Sequence, residues 1–337
     1  MKTLRAPIVL LALFLLGACA PRLEPAGPAI QFPALSDSQI IMADGAALPL
    51  RRWLPDGAPR AVIVALHGFN DYSRAFEQPA TYWAQRGIAT YALDQRGFGN
   101  APHRGIWAGH ETMAADATAA VALIRARHTG RPVFLAGESM GGAIAMIAAA
   151  GGMLKADGLI LVAPALRGRR YIGFLPRATL WLGARIIPWM ELTGRGLRIQ
   201  ASDNIPMLRA LGADPLIIKE TRVDAIKGLV DTMDAAILSA PDTDIPSLVL
   251  YGSRDELVPE RPVVDMIAAL PPGIGHRAAV YRSGWHLLLR DLKAQIVLDD
   301  IAAWIADRSA PLPSGADRAA REAIAETRAA SGADSRN

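Results

Sequence analysis

Phe134-Leu135-Ala136-Gly137-Glu138-Ser139-Met140-Gly141-Gly142 decides how this chain is read. An apolar, strand-like run enters Gly-x-Ser-x-Gly, and an Ala-rich stretch from Gly141 to Ala150 follows as a helix. A tight strand-to-helix turn holds the central serine in a strained backbone conformation. The residues two before and two after it then lie too close together for a β-carbon, which accounts for Gly137 and Gly141. The serine hydroxyl projects over a helix N-terminus, whose dipole and free N–H groups favour negative charge. In this setting the motif is a nucleophile elbow, with Ser139 as the expected nucleophile.

Such a serine needs a base, and the base needs an orienting acid. Downstream of Ser139 stand His276 and His286. His286 lies in Ser283-Gly284-Trp285-His286, a loop after the strand-like Arg277–Tyr281, and is the expected base. His276 precedes that strand, at the wrong end of a parallel sheet for a site at the strand C-termini, and reads as a surface turn residue. The strand-like Ser247–Tyr251 leads into Gly252-Ser253-Arg254-Asp255-Glu256. Asp255 is placed to fix the tautomer of His286, with Glu256 as its neighbouring competitor. Asp291 reads as a cap of the last helix. Two backbone N–H groups are expected to form the oxyanion hole: that of Met140, and that of Phe69 in His67-Gly68-Phe69-Asn70. His67 ends a buried strand and reads as a structural histidine that shapes this loop.

The surrounding chain alternates strands and helices. Strands are expected at Ser38–Ala43, Leu48–Leu54, Ala61–Leu66, Ile88–Leu93, Pro132–Ala136 and Leu159–Ala163, before the two later ones. Helices are expected near Arg74–Gln85, Glu111–Arg127, Gly141–Ala150, Pro262–Leu270 and Leu292–Ala306. This order means an α/β fold, with a mainly parallel sheet covered on both faces. Residues 166–240 break the rhythm and are too long for a connection. They contain the apolar, aromatic Ile172–Trp189, punctuated by Pro176 and Pro188, and read as an inserted helical cap. A helix apolar nearly all round is expected to bury a second face, either by packing on the sheet domain or a second protomer, or by lining the path of an acyl chain with Trp181 and Trp189. The core is then 36–165 and 241–306, and 307–337 forms a low-complexity C-terminal tail.

Composition narrows the function classes. Of 337 residues, 51% are hydrophobic and 20% charged, which supports a full core and excludes wholesale disorder. The formal charge is +4. Without Lys2 and Arg5 in the leader, 34 basic residues stand against 32 acidic, or +2. That excess is spread along the chain and argues against nucleic-acid binding. The single cysteine, Cys19, excludes an internal disulfide framework and a Cys-ligated zinc site. It closes Leu16-Gly17-Ala18-Cys19, after the apolar run Ile8–Leu16. The leader resembles a bacterial lipoprotein signal: residues 1–18 are removed, Cys19 is lipidated, and the Pro- and Ala-rich 19–35 acts as a tether. The alternative is an ordinary secretory signal cut after Ala20, giving a soluble periplasmic or secreted protein. Acyl chains on Cys19 would tether the protein to a membrane without a spanning helix. Ala20, where an Asp would signal inner-membrane retention, points to the outer membrane, facing the periplasm.

HGFN at 67–70, DQRGFG at 94–99, GESMGG at 137–142, YGSRDELV at 251–258 and GWH at 284–286 together resemble the α/β-hydrolase superfamily. More narrowly they are similar to its monoacylglycerol lipase and lysophospholipase-like branch, as is Ala213-Asp214-Pro215-Leu216. The resemblance covers roughly Ser36 to Ala306. It implies an eight-stranded, mostly parallel sheet with the cap over the site, and hydrolysis of a lipid-like ester through an acyl-enzyme. No metal or organic cofactor is implied. Asn100-Ala101-Pro102-His103 departs from the branch pattern and leaves His103 as a surface-loop residue, while Asp94 and Arg96 are expected to stabilise the fold. Two rivals are weighed. An aminopeptidase-like enzyme would need a cap carboxylate among Glu191, Asp203, Asp214 and Glu220 to hold a substrate ammonium. A catalytically silent binding lipoprotein would be expected to lack a triad member.

Overall fold

The computed structural model describes residues 21–194, 196 and 199–321. Cys19 and the whole leader lie outside the described residues. The first three strands are β1 (Ala34–Leu35), β2 (Gln39–Ile41) and β3 (Ala47–Trp53), followed by β4 (Ala61–Leu66), α1 (Glu77–Ala84) and β5 (Ile88–Leu93). Then come α2 (His110–Arg127), β6 (Val133–Glu138), α3 (Met140–Ala150) and β7 (Gly158–Val162). The inserted segment holds α4 (Phe174–Ile186), β8 (Glu191–Thr193), α5 (Ile205–Ala213), β9 (Glu220–Arg222) and α6 (Val223–Ser239). The chain closes with β10 (Ser247–Gly252), α7 (Glu260–Ala269), β11 (Arg277–Tyr281) and α8 (Ala294–Ala306).

The large sheet runs β1-β2-β3-β5-β4-β6-β7-β10-β11. From β5 to β11 every pairing is parallel, and β1 to β3 join antiparallel at one edge. Every residue of β4 to β7 and of β10 is buried, as continuous apolar runs such as Ala-Val-Ile-Val-Ala-Leu require when both faces are covered. Two cores result. One packs α2, α3 and α6 on one face, around Val62, Tyr91, Val121 and Ile144. The other packs α1 and α8 on the opposite face, around Ile63, Trp83, Phe134 and Trp304.

Four expectations need correction. The sheet has nine strands among the described residues, because Ala34–Leu35 pairs with Ile40–Ile41. Residues 21–35 are therefore not a free tether. Ile30 N–H donates to Ala43 O at 2.8 Å, Glu24 N–H to Trp107 O at 2.9 Å and Arg22 N–H to Asp224 Oδ2 at 3.1 Å. Nor are residues 307–321 a loose tail: Leu312, Ala316 and Ala320 are buried, and Ser314 N–H donates to Asp300 Oδ1 at 3.0 Å.

The cap is helical with a small addition, an antiparallel pair of β8 and β9. The face of α4 is the fourth correction. Only Ala184 of that helix is buried; Phe174 and Leu175 are 76% and 73% exposed. Among the described residues that face stays largely open, with Trp181, Leu182 and Ile186 each about half exposed.

Candidate active site

Loops at the C-terminal ends of β4, β6, β10 and β11 converge, as an open parallel sheet favours. Ser139 is the N-cap of α3, with φ 54° and ψ −115°, a conformation that costs energy for any side-chain-bearing residue. Close packing enforces it. A β-carbon on Gly137 would lie 2.2 Å from Gly141 C, and one on Gly141 only 2.1 Å from Leu66 O. Ser139 itself is half-buried, between the fully buried Glu138 and Met140.

The structure brings Ser139, His286 and Asp255 together in one hydrogen-bonded chain. His286 Nε2 lies 2.9 Å from Ser139 Oγ, and His286 Nδ1 lies 2.7 Å from Asp255 Oδ2. Asp255 Oδ1 accepts from Leu257 N–H at 2.8 Å and Val258 N–H at 2.9 Å, so the carboxylate is held at both ends. A buried carboxylate on Nδ1 fixes the tautomer that leaves Nε2 free to accept the serine proton. Glu256 is exposed and accepts from Gln200 N–H instead. The two loops meet because glycines permit it. A β-carbon on Gly252 would fall 2.5 Å from Gly284 C, and Arg254 N–H donates to Gly284 O at 2.9 Å.

The oxyanion-hole candidates flank the serine. Met140 N–H belongs to the first turn of α3, where helix donors lack internal acceptors. A β-carbon on Gly68 would lie 3.4 Å from that of Ser139, which sets the Gly68–Phe69 peptide against the nucleophile. His67 is buried and bonded on both ring nitrogens: Nδ1–H donates to Gly68 O at 2.8 Å, and Nε2 accepts from Gln95 N–H at 3.0 Å. Burial lowers its pKa, so it is a neutral brace of this loop. The cap holds the same loop from the other side, through Ile218 N–H to Asn70 O at 3.0 Å and Asn70 Nδ2 to Thr221 Oγ1 at 2.7 Å.

Sequence reasoning missed a buried ion network around the site. Arg290 donates to Asp71 Oδ2 at 2.8 Å and to Glu138 Oε2 at 2.7 Å. Burial raises the pKa of Glu138, and the Arg290 charge opposes that rise. Glu138 was visible only as the variable position of the motif, and its partners are remote in sequence. Asp291 is not a helix cap, since α8 starts at Ala294 behind Lys293. Its carboxylate accepts from Ser202 Oγ–H at 2.6 Å and from Trp285 N–H at 2.8 Å, tying the His286 loop to the cap. Burial pushes its pKa up to about 6.

Other expected residues fall outside the site. His276 is half-buried beside Thr243 and far from surface-turn exposure. His103 is exposed, with φ 58°. Arg96 binds Asp44 and Asp116 bidentately, and Asp94 accepts from Ser73 and Asn100 N–H groups, so both brace the fold. Trp181 is not brought to Ser139. It lines a groove of about 340 Å³ on the cap with Phe174, Arg177 and Lys227. Trp189 is likewise half-exposed. A second groove of about 570 Å³ runs between α1 and α5 and reaches Asp71 and Arg290, but not Ser139. Among the described residues no cluster of His, Cys, Asp and Glu has the arrangement of a metal site, and no helix is long and apolar enough to cross a membrane.

The sequence pattern of the family described as "Serine aminopeptidase, S33" matches residues 57–293. Human "Monoglyceride lipase" is 25% identical over 281 residues, covering 80% of this chain and 90% of that protein. The "Monoacylglycerol lipase" of Mycolicibacterium smegmatis is 26% identical over 264 residues, covering 75% and 90%. Among solved structures, the monoacylglycerol lipase of Paleococcus ferrophilus superposes with a TM-score of 0.64 at 22% identity, covering 78% of this chain and 99% of that one. The Saccharomyces cerevisiae monoglyceride lipase, solved with a substrate analogue, gives 0.67 at 18% identity, covering 86% and 99%. This chain shares its α/β-hydrolase fold with those two solved structures.

Proposed function

This chain belongs to the serine aminopeptidase S33 family of α/β-hydrolases and is a serine hydrolase; from that premise, we propose that it cleaves lipid-like carboxylic esters, of the monoacylglycerol or lysophospholipid type, through Ser139, His286 and Asp255. The observation that carries the reading is the continuous hydrogen-bonded chain from Ser139 Oγ through His286 to Asp255. His286 Nε2 takes the hydroxyl proton as Ser139 Oγ attacks the ester carbonyl. The Phe69 and Met140 N–H groups receive the charge that develops on the carbonyl oxygen. His286 then gives its proton to the leaving alcohol, and an acyl ester remains on Ser139. Water, deprotonated by His286, attacks that ester, and His286 returns the proton to Ser139 Oγ as the acyl–oxygen bond breaks and the fatty acid leaves. Asp255 holds the imidazole and favours its charged form without itself taking a proton.

Lipid ester is favoured over peptide by the state of the cap carboxylates. Asp203 accepts from Leu292 N–H, and Asp214 from Tyr72 Oη–H and Leu216 N–H, so both already brace the fold. Glu191 and Glu220 are exposed on β8 and β9. The test is kcat/KM for p-nitrophenyl esters from acetate to laurate and for monoacylglycerols, beside amino-acid anilides. A climb over several added methylenes, each adding up to about 0.8 kcal/mol of transition-state binding, supports the reading. Faster cleavage of the anilides would replace it with the peptidase.

We also propose that the protein is exported and tethered to a membrane, facing the periplasm, by lipid on Cys19. The apolar run Ile8–Leu16 and the position of the sole cysteine support this. Metabolic palmitate labelling that disappears in Cys19→Ser is the check. Unlabelled protein in the soluble periplasm would support cleavage after Ala20.

A further inference from the structure

We propose that Trp107 is a positioning residue for the oxyanion loop, acting through the Phe69 ring, and that the N-terminal segment Arg22–Gly27 seats Trp107. The inference rests on the catalytic reading in one respect, the role of Phe69 N–H as an oxyanion donor. The Phe69 ring meets two aromatic neighbours. Its centroid lies 5.7 Å from that of Phe98 at 69° and 6.0 Å from that of Trp107 at 59°. Phe98 and Trp107 are 6.4 Å apart at 85°, which closes a triangle of edge-on and tilted contacts. Phe98 and Trp107 are both buried.

The cap completes this cluster. A β-carbon on Gly228 of α6 would lie 2.4 Å from Trp107 Nε1, so the bare backbone of that helix rests on the indole. Ile218 and Ala225 join the three rings around a cavity of only about 10 Å³. Rings packed this closely move together or not at all. A shift of Trp107 is therefore passed to the Phe69 side chain and to the peptide that carries the donor. A misplacement of about 1 Å at a reacting centre can cost about 100-fold in rate.

Trp107 lies in an irregular loop, and the N-terminal segment supplies its backbone partner. Leu23 pairs with Trp107 as a parallel bridge, and Glu24 N–H donates to Trp107 O at 2.9 Å. On one side of this bridge, Arg22 N–H donates to Asp224 Oδ2 in the first turn of α6 at 3.1 Å. On the other, Ala26 N–H donates to Thr112 Oγ1 of α2 at 3.3 Å, and Gly27 N–H to Asp44 Oδ2 at 3.0 Å. The segment thus laces the cap to the core directly across the Trp107 loop. Leu23 is 55% exposed, so the segment acts through backbone hydrogen bonds more than through burial of its own side chains.

The test uses the full chain with Trp107→Ala, Trp107→Phe and the double variant Arg22→Pro with Glu24→Pro. The prolines remove the N–H groups bonded to Asp224 and Trp107 and leave every ring of the cluster in place. An extended segment that already holds Pro21 and Pro25 accommodates them. Three quantities are read: the rate of modification by a fluorophosphonate, kcat and KM for p-nitrophenyl acetate, and amide hydrogen exchange in residues 67–72 and 133–138. Trp107→Ala and the double proline variant should slow modification about 10- to 100-fold, because the phosphonyl oxygen uses the same donors. Their kcat should fall in parallel, with KM changed less than about threefold. Trp107→Phe should stay within about threefold of wild type, since it keeps a ring against Phe69. Exchange should quicken in 67–72 and stay slow in 133–138, the β6 strand. Faster exchange with an unchanged modification rate would overturn the proposal. So would equal quickening in both segments, which means general loosening, or a double proline variant identical to wild type. Modification needs only Ser139 and its oxyanion hole, so a chain that spares esters would sink the ester reading and leave this test standing.

Discussion

Arg290 donates to Glu138 across 2.7 Å, and Glu138 is the residue immediately before Ser139. The same guanidinium reaches Asp71, two residues beyond Phe69, and Arg290 follows His286 by four. One buried cation thus joins the nucleophile, oxyanion and histidine loops. Each loop alone has soft backbone torsions; their common partner removes that freedom.

Removing that cation leaves two buried carboxylates facing each other. Arg290→Met should lower unfolding free energy by about 3–5 kcal/mol. Pairing it with Glu138→Gln should recover part of the loss, with a coupling of at least about 1 kcal/mol in a double-mutant cycle read by urea unfolding. Additive losses would mean that the two side chains do not interact.

A second expectation concerns pH. Burial raises the Asp291 carboxyl to about 6, against an unfolded value near 3.9. The folded chain therefore holds this proton more tightly than the unfolded chain does. The associated stability is complete below about pH 4 and is lost as pH rises through 6, a change of about 3 kcal/mol. Asp291→Asn removes the titration, so its urea midpoint should fall less than that of the wild type between pH 5 and pH 8. Parallel curves would exclude the assignment.

The elbow glycines permit a sharper test of packing. Gly137→Ala places a methyl group 2.2 Å from the Gly141 carbonyl, where only backbone movement relieves it. The variant should be insoluble or lose more than about 3 kcal/mol. Gly152→Ala meets no atom within 4 Å but sits at φ 72°, and should cost only about 1 kcal/mol.

These comparisons explain what the chain discloses before it folds. The elbow is legible because its constraint is local: Gly137 and Gly141 stand two residues either side of Ser139. Asp255 and His286 follow from the order of strands and loops. Arg290, Glu138 and Asp71 are ordinary charged residues in sequence, and only the sheet brings them together. Pairing of residues 21–35 with the core is hidden for another reason, since Pro-rich composition records local stiffness and not the partner. The apolar pattern of α4 shows that its face must be covered, but a core, a copy and a bilayer all satisfy that pattern.

Asp255 and Glu256 are adjacent carboxylates with different surroundings, which kinetics can separate. Asp255→Asn should reduce kcat by about 10⁴, since the wrong imidazole tautomer is then favoured. Glu256→Gln should change it less than about threefold. Asp255→Asn combined with His286→Ala should be no worse than His286→Ala alone. The reverse order of effects would transfer the orienting role to Glu256.

The most direct test of the catalytic assignment is covalent. The purified protein is treated with a fluorophosphonate, and the modified peptide is sequenced by mass spectrometry beside the kinetics of a folded Ser139→Ala variant. The account predicts one adduct, on Ser139, and a loss of ester-hydrolysis kcat on the order of 10³ or more in the variant. An adduct elsewhere, or a Ser139→Ala protein that hydrolyses esters at close to the wild-type rate, would contradict it.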